Sequence, residues 1–192
     1  GWQLCPYNTD QEIWAVAKIV NLVPKPRRID RLFILDDIER LQSTTLRFWL
    51  RHNLIAILLR RPMRVWFAGK GQFVWQMNHW DIPVYLPYVH PEIPKSVVYP
   101  LKEIVDRFGV WLFTNTICYM IALAIHEGAT EIDLYGVHQK GRPEYDLERR
   151  WVEVWLSIAA NYAKVTIHGP SALFENVNGK LYGYRASPKE LS

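Results

Sequence analysis

The stretch Thr114–Gln139 reads TNTICYMIALAIHEGATEIDLYGVHQ, and its reading decides the fold. Its first half, Thr114 to Glu127, is strongly apolar and longer than a strand, so it reads as a buried helix. Thr114, Asn115 and Thr116 supply capping side chains at its start, and Gly128 ends it. The second half, Glu131 to Val137 (EIDLYGV), is a short apolar run and reads as a buried strand. A buried helix followed after three residues by a buried strand is the repeating unit of an α/β protein.

The same alternation extends both ways. Downstream, Gly141 and Pro143 mark a loop, and Glu144 to Ala163 carries Trp151, Val154, Trp155 and Ile158 at helical spacing. Lys164 to His168 (KVTIH) reads as the last core strand, and Ser171 to Ser192 as an irregular tail. Upstream, Gly1 to Asp10 is turn-rich. Strands are expected at Glu12 to Val20, Arg31 to Leu35, Met63 to Ala68 and Pro83 to Leu86. Helix is expected from Asp36 and Asp37 to about Arg61, where Pro62 ends it, and again from Val97 to Phe108. Short apolar strands between amphipathic helices imply a mostly parallel sheet covered on both faces. The expectation is one Rossmann-like three-layer α/β domain over residues 1–192. Such sheets bind ligands beyond the carboxyl ends of their strands, at a switch in strand order. That rule points to the loops opening at Asn21, Asp36, Gly69, His138 and His168.

Composition narrows the class. A hydrophobic fraction of 49% over 192 residues suffices for a core and argues against disorder. Nine Trp and an aromatic share of 14% imply a ring-rich core, or rings lining a cleft. The net charge of +4 favours an anionic ligand such as a nucleotide, and it is too small to argue for duplex DNA by itself. It leaves nucleic acid and oligomer formation open. The two cysteines, Cys5 and Cys118, suit a reducing compartment, and no Cys/His spacing resembles a zinc site. No signal-peptide pattern is visible, and the longest apolar run, Ile117 to Ile125, is too short for a bilayer. A cytoplasmic protein is therefore expected.

Three constellations carry possible chemistry. Gly69-Lys70-Gly71 lies between an expected strand and helix, as a phosphate-binding turn would, or is a plain tight turn; Val74 stands where a third glycine would be. Thr114-Asn115-Thr116 offers hydroxyls and free N–H groups to a phosphate or ribose, or simply caps its helix. His138 ends its strand with Lys140, Arg142, Tyr145 and Arg149 close behind. A neutral imidazole there could serve as a base, with cations and a phenol beside a phosphate. The plain alternative is a polar loop and helix start. His168, also at a strand end, is the second candidate. His52, His79, His90 and His126 read as surface or satisfied polar residues.

On these residues the sequence resembles a known group. Thr114 to Gln139 is similar to a segment shared by bacterial CMP-sialic-acid-dependent sialyltransferases, archaeal-type 6-hydroxymethylpterin diphosphokinases and a set of phage proteins mostly of unknown function. The shared pattern is a small polar triplet, an apolar helix ending in glycine, and a strand ending in Tyr, Gly, an apolar residue and Asp. Asn21 with Asp30-Arg31 resembles the group's second strand and loop, and Glu144-Tyr145 to Arg149 resembles the phage proteins' acidic-Tyr and Arg pairing. His138 replaces the usual Asp, and the group's first strand and glycine-rich turn would precede Gly1. The resemblance implies that Asn21, Thr114, Asn115 and Thr116 contact a nucleotide. It also implies that Tyr145 assists a departing phosphate, and that a His acts as base.

The expected function is a glycosyltransferase-like, nucleotide-dependent transferase. It would pass a group from a nucleotide (sugar) donor to an acceptor through His138, Tyr145 and Arg149. One alternative is a pyrophosphokinase of the pterin or nucleotide type, with Asp36 and Asp37 as Mg²⁺ ligands. The other is a non-catalytic phage binding or structural module. No other cofactor or metal is called for.

Overall fold

Short parallel strands dominate the unit Tyr7–Leu101, one of two into which the chain divides; Gly1–Pro6 and Lys102–Ser192 form the other. The computed structural model describes residues 2–16, 28–36, 78, 81–139, 141 and 143–174. The expected strand Met63 to Ala68, the helical stretch from Asp37 to Arg61 and the turn Gly69 to Gly71 lie outside those residues, as do Asn21, Lys140 and Arg142.

In the first unit, β1 (Trp14–Val16), β2 (Arg31–Phe33), β3 (Val84–Leu86) and β4 (Ser96–Val98) form a parallel sheet in sequence order. Order without reversal means that the described strands of this sheet contain no switch point. Ala15, Leu32, Val84 and Leu86 share one face and are buried. The other face carries a row of rings: Trp14 lies 5.2 Å from Phe33, and Phe33 lies 4.7 Å from Tyr85. Arg31 crosses the end of that row. Its guanidinium sits 4.7 Å from the Trp14 ring centre, donates to Tyr85 Oη at 3.1 Å and pairs with Glu12 at 2.9 Å. This arginine is occupied by cation–π, hydrogen-bond and ionic contacts at once.

Strand β4 corrects the reading of a helix from Val97. Pro100 disfavours the α region for Tyr99, so the chain stays extended through Val98 and helix starts only at Leu101. The expected strand at Glu12 to Val20 is described only as Trp14–Val16, since residues 17–20 lie outside the described set.

The second unit follows the sequence closely. From Lys102 on it contains α1 (Leu101–Phe108), α2 (Thr116–His126), β5 (Glu131–Tyr135), α3 (Pro143–Ala159) and β6 (Lys164–His168). Helix α2 ends as Gly128 suggests. Gly128 adopts φ +89°, its N–H reaches Ile125 O at 3.4 Å, and the N–H of Ala129 reaches Ala124 O at 2.9 Å. That is the paired-bond pattern by which a left-handed glycine closes a helix. Helix α3 begins at Pro143, whose missing N–H costs nothing in a first turn, and Glu144 and Asp146 favour that end electrostatically.

Helices α2 and α3 pack on each other, and α3 packs on β6. Trp155 is fully buried at their centre, with Phe108 and Phe113 rings at 5.9 and 4.9 Å, and its indole donates to Leu112 O at 2.9 Å. Strands β5 and β6 are parallel, with Asp133 beside Thr166 and Tyr135 beside His168. Alternation gives this ladder an apolar face (Ile132, Leu134, Val165, Ile167) and a polar one (Asp133, Tyr135, Thr166, His168). A 3₁₀ turn, Trp2–Leu4, lies against β5. The fold is thus mixed α/β with parallel ladders, and no described helix is long and apolar enough to cross a membrane.

Candidate functional site

Asn115 caps α2. Its Oδ1 accepts from the N–H of Cys118 at 3.2 Å, while its Nδ2 donates to Glu148 on α3 at 3.3 Å. The side chain is used at both ends, so the capping role expected of the triplet is filled by Asn115. Thr114 Oγ1 lies 4.0 Å from Cys118 Sγ. The backbone N–H groups of Thr116 and Ile117 start the helix and have no carbonyl four residues back within it. Burial of Cys118 raises its thiol pKa above the ordinary range, partly offset by hydrogen bonds from Thr114 and Asn115.

One residue beyond Glu148, Arg149 turns toward the ends of the strands. Its Nη1 lies 3.5 Å from Ala172 O, and its Nε, 3.9 Å from Glu153, is buried without a hydrogen bond among the described residues. Ala172 in turn donates from its N–H to His138 O at 3.0 Å, and Ser171 Oγ donates to Val137 O at 2.6 Å. Tyr145 is half-buried one helical turn before Arg149. The first turns of α3 therefore join the start of α2 to the loop after β5. Of the expected residues, Thr114, Asn115, Thr116, His138, Tyr145 and Arg149 all belong to this unit. Asn21 and Asp37 lie outside the described residues. Asp36 is exposed after β2 in the other unit, and no metal-binding group of His, Cys, Asp and Glu occurs among the described residues.

His138 is exposed, and its Nδ1 donates to Pro170 O at 2.6 Å. A carbonyl can only accept, so the proton sits on Nδ1 and a neutral ring presents Nε2 as its basic atom. His138 follows Gly136, not the strand itself. β5 stops at Tyr135 because Gly136 takes φ +76°, which shortens the expected strand by two residues.

Of the second set of polar groups, sequence reasoning named His168 as the second candidate but did not find its partners Asp133 and Tyr135. His168 Nε2 meets Asp133 Oδ1 at 2.6 Å, and the Tyr135 ring stacks on the imidazole at 4.3 Å and 5°. Burial, then Asp133, then Cys5 hold the Tyr135 phenol above its usual range. Burial, then Asp133, do the same to the Cys5 thiol. The Trp2–Leu4 turn closes over the strand ends at two left-handed glycines. A Cβ on Gly136 would come within 3.0 Å of Trp2 N, and one on Gly169 (φ +81°) within 3.1 Å of Leu4 Cδ1. Gln139, next to His138, is nine-tenths buried at φ +46°, and its Oε1 has no hydrogen-bond partner among the described residues. The available signal was the identical placement of Tyr135-Gly136 and His168-Gly169 at the two strand ends.

A shallow groove of about 520 Å³ runs along α3 past Arg150, Val154, Ile158 and Phe174. None of the expected site residues lines it. The chemistry described above, which depends on converging polar groups, is the better guide to a site. Comparison with protein-family models, with curated proteins and with solved structures found no match.

Proposed function

We propose that the chain is a nucleotide-dependent group transferase, glycosyltransferase-like, on a Rossmann-like three-layer fold. One observation carries the reading. Glu148 and Arg149, adjacent on α3, tie the Asn115 cap of α2 to the His138 loop through hydrogen bonds of 3.3, 3.5 and 3.0 Å. A small ligand could then meet the free N–H groups of α2, a cation and an imidazole in one place.

In this proposal the start of α2 holds the nucleotide through Thr114, Thr116 and the first N–H groups of the helix, with Asn115 fixing the cap. Arg149, whose Nε makes no hydrogen bond among the described residues, and Tyr145 steady the departing phosphate. His138 Nε2 takes the proton of an acceptor hydroxyl as its oxygen attacks the transferred group. The resemblance to sialyltransferases, pterin diphosphokinases and phage proteins supports the same assignment of residues. Its order of strand, glycine and loop is kept by Tyr135, Gly136 and His138.

The test is a thermal-shift series with CMP, CTP, UDP-sugars and ATP, each with and without Mg²⁺. A ligand at ten times its Kd stabilises by about 1.4 kcal/mol, which raises Tm by roughly 3–6 °C for a chain of this size. A shift by CMP or a UDP-sugar without metal, lost in Arg149→Gln, is the expected result. A shift only by ATP with Mg²⁺ overturns it in favour of the pyrophosphokinase. No shift by any of them overturns it in favour of a non-catalytic module.

A further inference from the structure

We infer that Asp133 and His168 form an acid–base pair that activates an O–H nucleophile, water or an alcohol, at the carboxyl end of β6. The inference is independent of the nucleotide reading. It starts from the register of the β5–β6 ladder, which places Asp133 and His168 on one face, two residues apart along the strands. From there the imidazole reaches back to the carboxylate with Nε2···Oδ1 at 2.6 Å.

That bond fixes the ring chemically. A carboxylate accepts, so Nε2 carries the proton and Nδ1 of the neutral ring is left as a base. Nδ1 makes no hydrogen bond among the described residues, and the His168 side chain is 35% exposed. The ring cannot turn away easily, because Tyr135 stacks on it at 4.3 Å. Asp133 also stabilises the imidazolium that forms when Nδ1 takes a proton, which a backbone carbonyl does less well. This is the difference from His138, whose fixed nitrogen faces Pro170 O. Nearby Cys5 does not compete as nucleophile, since burial and Asp133 favour its protonated thiol.

The step balances without a further reactant. Nδ1 takes a proton from water, the water oxygen bonds to an acyl carbon, and the ester C–O bond breaks to release the alkoxide or phenolate. The imidazolium then returns its proton to the leaving group or to solvent.

The probe is p-nitrophenyl acetate, and the readout is the second-order rate of p-nitrophenolate release by the full chain. The wild type should exceed an equal concentration of free imidazole. His168→Gln keeps an N–H donor toward Asp133 but removes the base, and should lose about 10²-fold. Asp133→Asn should lose less. Added imidazole should restore part of the rate to His168→Ala, which a merely structural role would not allow. A variant that fails to fold does not end the test. Diethylpyrocarbonate treatment of the wild type, mapped by tryptic peptides, separates His168 in Val165–Lys180 from His126 and His138 in Phe108–Lys140. Loss of activity should follow modification of the first peptide. A wild-type rate no better than imidazole, a fully active folded His168→Gln, or loss that follows the second peptide would each overturn the inference. The assay contains no nucleotide, so its failure leaves the transferase reading to the thermal-shift result.

Discussion

The two sides of the β5–β6 ladder are held in different ways. On the apolar side of the unit, Leu134 is buried, and the helices α2 and α3 bring Cys118, Ile121, Leu123, Trp155 and Leu156 to almost no exposure. On the polar face stand Asp133, Tyr135, Thr166 and His168, with the backbone of the Trp2–Leu4 turn over their strand ends. The first arrangement stabilises by area removed from water, at roughly 25 cal/mol per Å². The second stabilises little, since partly exposed ion pairs contribute about 0–1 kcal/mol. Burying titratable groups for so small a return makes sense when the groups have chemistry to perform. The four-stranded sheet makes the point from the other side. There, Arg31 is engaged by Trp14, Tyr85 and Glu12 together.

The sharpest way to break this contrast is Trp155→Ala. If the helix side carries the unit, removing the buried indole, its ring contacts and its bond to Leu112 O should cost about 3–5 kcal/mol. Urea denaturation followed by circular dichroism measures it. A loss below about 1 kcal/mol would mean that the helices do not hold the unit together. His168→Gln should by comparison move stability by no more than about 1 kcal/mol.

How much of this was legible depended on the distance over which the information acts. The cap, body and glycine stop of α2, the strand Lys164–His168 and the Trp155 stripe depend on neighbours a few residues apart. Local periodicity therefore reaches them. Strand β4 was hidden because Val97 and Val98 are too few to show a period, and Pro100 lay inside the helix they were joined to. The Asp133–His168 pair spans 35 residues. Only the register of β5 on β6 puts the two on one face, and the matching strand ends Tyr135-Gly136 and His168-Gly169 give that register only once the two strands are known to be neighbours. The expected site residues are a middle case. Thr114 to Thr116 and His138 were visible as element ends, but the bond from Asn115 to Glu148 that commits one of them to structure was not.

A second and smaller effect sharpens the contrast at the polar face. Gly136 and Gly128 both have left-handed backbones, φ +76° and +89°. An Ala at either costs about 1–2 kcal/mol for the conformation alone. At Gly128 the new Cβ meets nothing within 4 Å, whereas at Gly136 it comes within 3.0 Å of Trp2 N. Gly136→Ala should therefore cost about 1–3 kcal/mol more than Gly128→Ala. If the Trp2–Leu4 turn is a true cover, Gly136→Ala should also open Cys5 to thiol reagents. Equal melting temperatures for the two variants would mean that the turn does not press on the strand end.

The smallest effect, and the one that reads the two sides directly, is thiol titration. Cys118 is fully enclosed among the helices, and Cys5 is half-buried at the polar face. Burial is the first cause of the raised pKa in both, and for Cys5 the Asp133 carboxylate adds to it. Native protein treated with a chromogenic disulfide should thus label Cys5 alone, and more slowly than a free thiol at the same pH. Cys118 should label only on unfolding. Asp133→Asn should speed the labelling of Cys5 and leave Cys118 unchanged. The sign of the pH dependence follows from the same shifts. Below the ordinary thiol range both states hold their protons and the cysteines contribute no pH dependence. As pH rises through that range the unfolded chain loses thiol protons that the native state keeps, so it binds fewer protons and stability falls with pH. Replacing Cys118 by Ala should flatten that alkaline decline more than replacing Cys5, because Cys118 is the more deeply enclosed. Comparable labelling rates for the two native thiols would remove the distinction between the faces, since both cysteines would then be reporting the same environment.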